Sequence, residues 1–340
     1  MSFIVYTADG NDKLCLIDKH EHLSGRWVVD NTSAKSFICC AAGDDNGICH
    51  EGTAAVTEPS LQQIRAQSSP WLRYDHGLRT AHLSCSCDDT FGSRDSVHAV
   101  DRYIWQPTSC QLLRWDAELF CHYLSGRILL FIGDSTMQQT AYTLHAMIAD
   151  NSTNGRCAQR VVFGRSDRLY PEDHNHGFRS FTEYIHMVKP DIVVMNAGAH
   201  MNDLAHMNTV FDELLKQVVV MMNNTRVPRL VWKTISPGHY LCSRAVEPIQ
   251  NFTNFYQDAL AANFTAAFND SFHYQSFPAY DALSQKWQPR IGYKMLSVEP
   301  LYLRADAHVT VRSDCLHLCT PGPLDLFSVL LLNMLYNGEV

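Results

Sequence analysis

The sequence predicts an α/β protein: a parallel sheet with helices on both faces, joined to a Cys-rich, loop-dominated N-terminal module. Three observations lead there. After Arg127, short apolar runs alternate with segments of helical period. The connections between them are short. Before about Thr108 the chain is rich in Cys, Gly, Asp and Ser and holds only brief apolar runs such as "RWVVD" and "KSFICCA". The 340 residues therefore divide into an N-terminal module, 1–126, packed on an α/β domain, 127–340.

Each element of that domain has its own warrant. "RILLFIG" is an apolar run of buried-strand type. "TMQQTAYTLHAMI" follows as a helix, with Met137, Thr140, Ala141, Leu144 and Ile148 on one face. "QRVVFG" reads as a strand, "SFTEYIHMV" as a helix, and "PDIVVMNAG" as a strand opened by Pro190. "TVFDELLKQVVVMM" is helical, "PRLVWKTIS" is a strand, and "PIQNFTNFYQDALAANFTAAF" is a long helix with aromatics on one side. "LDLFSVLLLNMLY" closes the domain as a helix. No internal repeat is present.

Ligands of open parallel sheets bind beyond the carboxyl ends of the strands, so chemistry is sought there. Ser135 follows "RILLFIG" at the start of a helix, where free backbone N–H groups and the helix dipole favour a developing oxyanion. A plain strand-to-helix turn capped by Asp or Ser reads the same way. A Ser nucleophile needs a base, and the base an orienting carboxylate. Near the C-terminus, "RSDCLHLCTPGPLD" sets Asp314 three residues before His317, on a loop ahead of the last helix. "RADAHV" is a rival pair, in which Asp306 and His308 share one face of a strand-like run. Asn196 ends the strand in "VVMNAGAH" and can donate to an oxyanion, or serve as a turn residue before Gly198. Thr234, Ser236 and His239 in "WKTISPGHY" line the same edge.

Two other clusters have competing readings. Cys315, His317 and Cys319 have the types of a zinc site, but a zinc-bound His317 is no free base. "HNHGFR", His174 to Arg179, reads as a solvated loop before it reads as a metal or substrate site.

Composition narrows the class. A net charge of −8 without a basic stripe argues against a nucleic-acid partner. No run approaches the roughly 20 apolar residues of a membrane span. Twelve cysteines accompany sequons at Asn31, Asn151, Asn223, Asn251, Asn263 and Asn269, the candidate glycosylation sites. Together they favour the secretory pathway, Golgi lumen or extracellular. At least four disulfides are expected, one of them through Cys315 or Cys319; the candidate cysteines are Cys15, Cys110, Cys121, Cys242, Cys315 and Cys319. "MSFIVYTADGNDKL" lacks the basic and apolar regions of a signal peptide, so secretion implies a signal or membrane anchor outside this sequence.

The order GDS, strand-end Asn, Asp-x-x-His resembles the SGNH hydrolases. More specifically, the chain resembles the plant trichome birefringence-like polysaccharide O-acetyltransferases of the PC-esterase group. The resemblance rests on "GRWVVD", "YIWQPTSCQLLRWDAELF", "FIGDS", "KTISPGHY" and "DCLHLCTPGPLD", from about Gly25 to Asp325. "GDST-x-x-Q" is also similar to the NXPE proteins and the animal sialic-acid O-acetyltransferase. Gln138 and Gln139 stand where the plant family has Arg-Asn, and Leu318 where it has Trp.

The resemblance implies a flavodoxin-like, SGNH-type sheet, acetyl transfer to a glycan, and Cys315 and Cys319 as disulfide staples of the loop that carries His317. It implies Ser135 as nucleophile, His317 as base and Asp314 as its partner, with the Ser135 N–H, Asn196 and Gly164 as the oxyanion hole. Asp134, Gln138, Gln139, His200, Ser236 and His239 are the candidate substrate contacts. The acceptor is a polysaccharide or glycan. No cofactor is tightly bound, no metal is used, and an acetyl donor is required; acetyl-CoA is one candidate, although no Gly-rich nucleotide loop is evident. An acetyl esterase with the same triad is the first alternative, and a non-catalytic glycan-binding protein on this scaffold is the second.

Overall fold

The computed structural model describes residues 13–30, 103–149, 155–171, 179–224, 227–261, 272–309, 314–320 and 322–340. Asn31, Asn151, Asn263 and Asn269, the stretch 172–178 of the "HNHGFR" loop, and most of the N-terminal module lie outside these residues. Asn223 and Asn251 lie within them and are exposed.

Five parallel strands form the central sheet: β3 (Leu129–Gly133), β4 (Val161–Arg165), β5 (Ile192–Met195), β6 (Arg229–Lys233) and β7 (Lys294–Leu296), ordered β4-β3-β5-β6-β7. Counted within the sheet this is second, first, third, fourth, fifth, the flavodoxin-like order. The chain leaves β3 in one direction to β4 and passes back across it to β5, so the crevice opens at the carboxyl end of β3.

Alternation along the strands makes two cores. Leu129 and Phe131 of β3, Ile192 and Val194 of β5, and Val231 of β6 face one side. Leu130 and Ile132, Val193 and Met195, and Leu230 and Trp232 face the other. A strand buried on both faces must be apolar throughout, which is why "LLFIG" and "IVVM" show no polar alternation. On the first side pack α1 (Ala117–Leu124), α2 (Ser135–Ala149) and α8 (Asp325–Tyr336), with the short helix α3 (Gly155–Ala158) beside α2. On the second side lie α4 (Phe181–Val188), α5 (Leu204–Asn224) and α7 (Phe277–Ile291). The five residues expected on one face of α2, Met137, Thr140, Ala141, Leu144 and Ile148, are all fully buried.

Several elements differ from the sequence expectation. The N-terminal part is not wholly irregular: β1 (Gly25–Val29) pairs antiparallel with β2 (Tyr103–Pro107), setting Trp27 opposite Trp105. Cys15, Ile17 and Trp105 join the same core as β3 and α8. The long aromatic segment is described as helix only over α6 (Phe252–Ala261). His317 lies not on a loop but on β9 (Asp314–Leu318), which pairs antiparallel with β8 (His308–Val309). Asp306 is in a 3-10 turn, Ala305–Ala307, rather than a strand. α7 and β7 were not anticipated, because "YDALSQKWQPR" has a weak apolar period and β7 is three residues long.

Disulfides join Cys15 to Cys110, Cys121 to Cys157, and Cys242 to Cys315; Cys319 is disulfide-bonded as well. All six candidate cysteines are thus oxidised, with Cys157 added. These bonds suit an extracytoplasmic, oxidising compartment. No helix among the described residues is long and apolar enough to cross a membrane.

The Cys15–Cys110 bond spans 95 residues of sequence, so it removes about 4–5 kcal/mol of unfolded-chain entropy on a loop-closure argument. Peptide mapping without reductant should recover the three linkages, and the Cys110→Ser variant should unfold at markedly lower denaturant. Free thiols at Cys15 and Cys110 in native protein would contradict the assignment.

Candidate active site

The site begins at the β3–α2 turn. Asp134 is fully buried and caps α2: its Oδ1 accepts from the Thr136 N–H (2.9 Å), the Thr136 hydroxyl (2.7 Å) and the Met137 N–H (3.3 Å). The cap leaves Ser135, the first helical residue, with its N–H uncommitted among the described residues and its side chain half-buried. Gly133 just before it has a packing reason. A Cβ there would overlap Asn196 Oδ1 and come within 2.8 Å of Met137 Cβ.

Facing Ser135 is a distortion in β9. His308 pairs with Leu318 and Val309 with Asp314, so Cys315, Leu316 and His317 have no counterpart on the β8 side. Asp314 folds back over this bulge. Its Oδ1 accepts the N–H of Leu316 and of His317, each at 3.0 Å. Its Oδ2 lies 2.8 Å from His317 Nδ1, and His317 Nε2 lies 2.9 Å from Ser135 Oγ. Residues three apart on a regular strand point to opposite faces; the bulge is what brings the carboxylate to the imidazole. Burial by itself would raise the Asp314 carboxyl. The hydrogen bond and charge of His317 and the two backbone N–H donors outweigh it and hold the group well below the usual carboxylate range.

The rival pair does not form. Asp306 binds Arg304 in a buried, two-pronged ion pair at 2.9 and 3.0 Å, and His308 bonds to His239 and to the His317 carbonyl instead. The zinc reading also falls, since Cys315 and Cys319 are in disulfides and His317 is bonded to Ser135 and Asp314.

Asn196 follows β5 beside Gly133, fully buried, with neither side-chain polar atom hydrogen-bonded among the described residues. Leaving a buried amide unpaired costs about 1–3 kcal/mol, so an acceptor arriving beside it is stabilised. Gly164 is different. It sits inside β4 opposite Ile132, with the Tyr184 ring so close that a Cβ would meet it at 2.7 Å. Ser166 donates to the Gly133 carbonyl (3.0 Å), and the parallel ladder alternates by two, so the Gly164 N–H also points to β3. Gly164 packs the sheet against α4 and is no free donor.

Most of the candidate substrate contacts prove structural. Asp134 is a helix cap. Gln138 is 2 % exposed, on the buried side of α2. Gln139 uses its amide to clamp the backbone of Leu318: Oε1 accepts the Leu318 N–H (3.1 Å) and Nε2 donates to the Leu318 carbonyl. Ser236 is buried and binds Lys233 Nζ (2.8 Å). Thr234 accepts the Val298 N–H (2.8 Å). His239 is buried against His308. His200 alone among them is open to solvent, with its side chain 34 % exposed, between Asp167 (3.5 Å) and Arg165 (3.3 Å).

This edge holds a buried charge cluster that the sequence did not announce. Burial would raise the Asp134 carboxyl, but the charges of His200 and Arg165, the Thr136 hydroxyl and Lys233 reverse this and hold it below its ordinary value. Burial pushes Lys233 down to about 8, against the pull of Asp134 and Asp281. Asp167 is raised by burial although Arg165 is paired with it. The only sequence signal for any of this was polar residues ending apolar strands.

No family model matches the chain. It is 21% identical to Protein YLS7 of Arabidopsis thaliana, over 97% of this chain and 80% of that protein. That name states no activity.

The Gln139 clamp fixes the residue next to His317. Gln139→Glu keeps the shape but turns a carboxylate oxygen toward the Leu318 carbonyl. Urea unfolding should show a loss of about 1–3 kcal/mol. Reaction of Ser135 with a fluorophosphonate should slow in the folded variant; unchanged stability and labelling would remove the clamp from the account.

Proposed function

We propose that the chain is a carbohydrate O-acetyltransferase that works through an acetyl-serine. The observation that carries the reading is the hydrogen-bonded series Ser135–His317–Asp314 at the carboxyl edge, beside an Asn196 amide with no hydrogen-bond partner among the described residues. The geometry supports acyl chemistry. The acetyl group and the sugar come from the sequence resemblance.

Ser135 Oγ attacks the carbonyl carbon of an acetyl donor while His317 Nε2 takes the hydroxyl proton. Asp314 keeps the Nδ1–H tautomer in place and stabilises the imidazolium that forms. Negative charge gathers on the former carbonyl oxygen, where the Ser135 N–H at the start of α2 and the Asn196 amide donate to it. Collapse expels the leaving group, which receives the proton from His317. A sugar hydroxyl then gives its proton to His317 and attacks the acetyl-serine carbon. The second intermediate collapses, the acetyl ester leaves on the sugar, and Ser135 recovers its proton. Water in place of the sugar gives an esterase. His200, partly open to solvent with Arg165 and Asp167 behind it, is the polar side chain among the described residues that we assign to contact with an acceptor. The disulfides and the sequons at Asn223 and Asn251 support a Golgi-lumenal or secreted location.

Ser135→Ala should lose acetyl transfer from an activated acetyl ester to a glycan and remain folded. Asp314→Asn should lose roughly 10³–10⁴-fold in kcat, because Asn favours the wrong His317 tautomer. Asp306→Asn should instead cost about 3–5 kcal/mol of stability by removing the countercharge of the buried Arg304, with turnover per folded molecule close to wild type. Steady-state kinetics beside thermal unfolding separate the two. If Asp306→Asn damaged turnover more at equal folded fraction, the wrong acid has been assigned.

A further inference from the structure

Behind the His317 bulge two buried imidazoles lie in series. His239 Nε2 is 2.9 Å from the Tyr302 carbonyl oxygen. His239 Nδ1 is 2.6 Å from His308 Nε2, and His308 Nδ1 is 3.0 Å from the carbonyl oxygen of His317 itself. Both rings are shielded from solvent, at 1 % and 0 % exposure. The edges of Phe252 and Phe255 of α6 close over His239.

A carbonyl only accepts, so each outer contact needs a proton on the imidazole. The inner contact needs one more, which makes three protons for three bonds. Burial pushes His239 down to about 4 and His308 well below its ordinary value, so near neutrality the pair holds two. Ring nitrogens 2.6 Å apart need one proton between them, so two arrangements remain. In one, His239 donates from Nδ1 to His308 Nε2, and His308 donates from Nδ1 to the His317 carbonyl. In the other, both rings are reversed and the His317 carbonyl loses this donor.

We propose that His308 is a positioning residue for His317, held in the Nδ1–H tautomer by a hydrogen bond from His239. The inference rests on the reading of His317 as the general base. The bulge has three further ties: the Gln139 clamp on Leu318, the Cys242–Cys315 disulfide, and the His239 N–H bonded to the Cys315 carbonyl (2.9 Å). Asp314 holds the His317 N–H, and His308 is the tie that acts on its carbonyl. It thereby sets how far Nε2 stands from Ser135 Oγ, and a misplacement of about 1 Å there costs on the order of 100-fold in rate.

The test uses the full chain with a chromogenic acetyl ester. The amide nitrogen of Asn reaches the place of imidazole Nδ1, that of Gln the place of Nε2. His308→Phe and His308→Gln should lose about 10- to 100-fold in kcat with KM within about twofold, and His308→Asn should recover most of that loss. His308→Phe at near wild-type kcat, or His308→Asn as impaired as His308→Phe, overturns the proposal. If His308→Phe does not fold, ¹⁵N NMR of histidine-labelled wild type decides: protonated His308 Nδ1 supports the proposal, unprotonated Nδ1 overturns it. Turnover that survives Ser135→Ala would instead mark failure of the underlying reading.

Discussion

The bulge at Cys315–His317 is the constraint on which the site depends. A regular β9 would send Asp314 and His317 to opposite faces of the β8–β9 pair. Three unmatched residues let the Asp314 carboxylate turn back onto the backbone of Leu316 and His317 and onto the imidazole. Bulges are marginal by themselves, because they give up ladder hydrogen bonds. This one is fastened from several directions. α2 holds Leu318 through Gln139, Cys242 holds Cys315, and His308 holds the His317 carbonyl. α2 also presents Ser135, so one helix sets both ends of the Ser135–His317 contact.

The carboxyl edge of the sheet carries more buried charge than packing alone would favour. Asp134, Lys233, Arg165 and Asp167 all lie below the surface there. Each is costly to bury and each has a compensating partner. Asp134 takes three donors of the first turn of α2 and sits in the positive field of His200 and Arg165. The arrangement keeps the turn rigid while leaving the Ser135 N–H and the Asn196 amide uncommitted among the described residues, which is the pre-organisation an oxyanion requires.

Much of the sheet was legible because its strands are buried on both faces and read as unbroken apolar runs. α2 and α8 were legible from helical period. The Ser135 turn and the Asp314–His317 spacing were visible as well, but how they meet was not: a three-residue spacing is silent about bulges. Gln139 and His239 line the same region and look like binding residues in sequence, yet both bond inward. Their partners, Leu318 and His308, lie far along the chain, and no local pattern encodes such contacts. Gly164 was misread for a related reason, since a strand glycine next to a distant tyrosine ring looks like any catalytic-loop glycine. Cys157 went unmarked because cysteine spacing does not determine pairing.

The central claim is that Ser135 is acylated with His317 as base. Incubating the protein with an activated acetyl ester, quenching in acid and mapping tryptic peptides by mass spectrometry tests it most directly. The account predicts an acetyl group on the peptide carrying Ser135, formed by wild type and lost in His317→Gln, and discharged faster when an acceptor glycan is added. Acetylation confined to lysines, or equal labelling of Ser135 without His317, would contradict it.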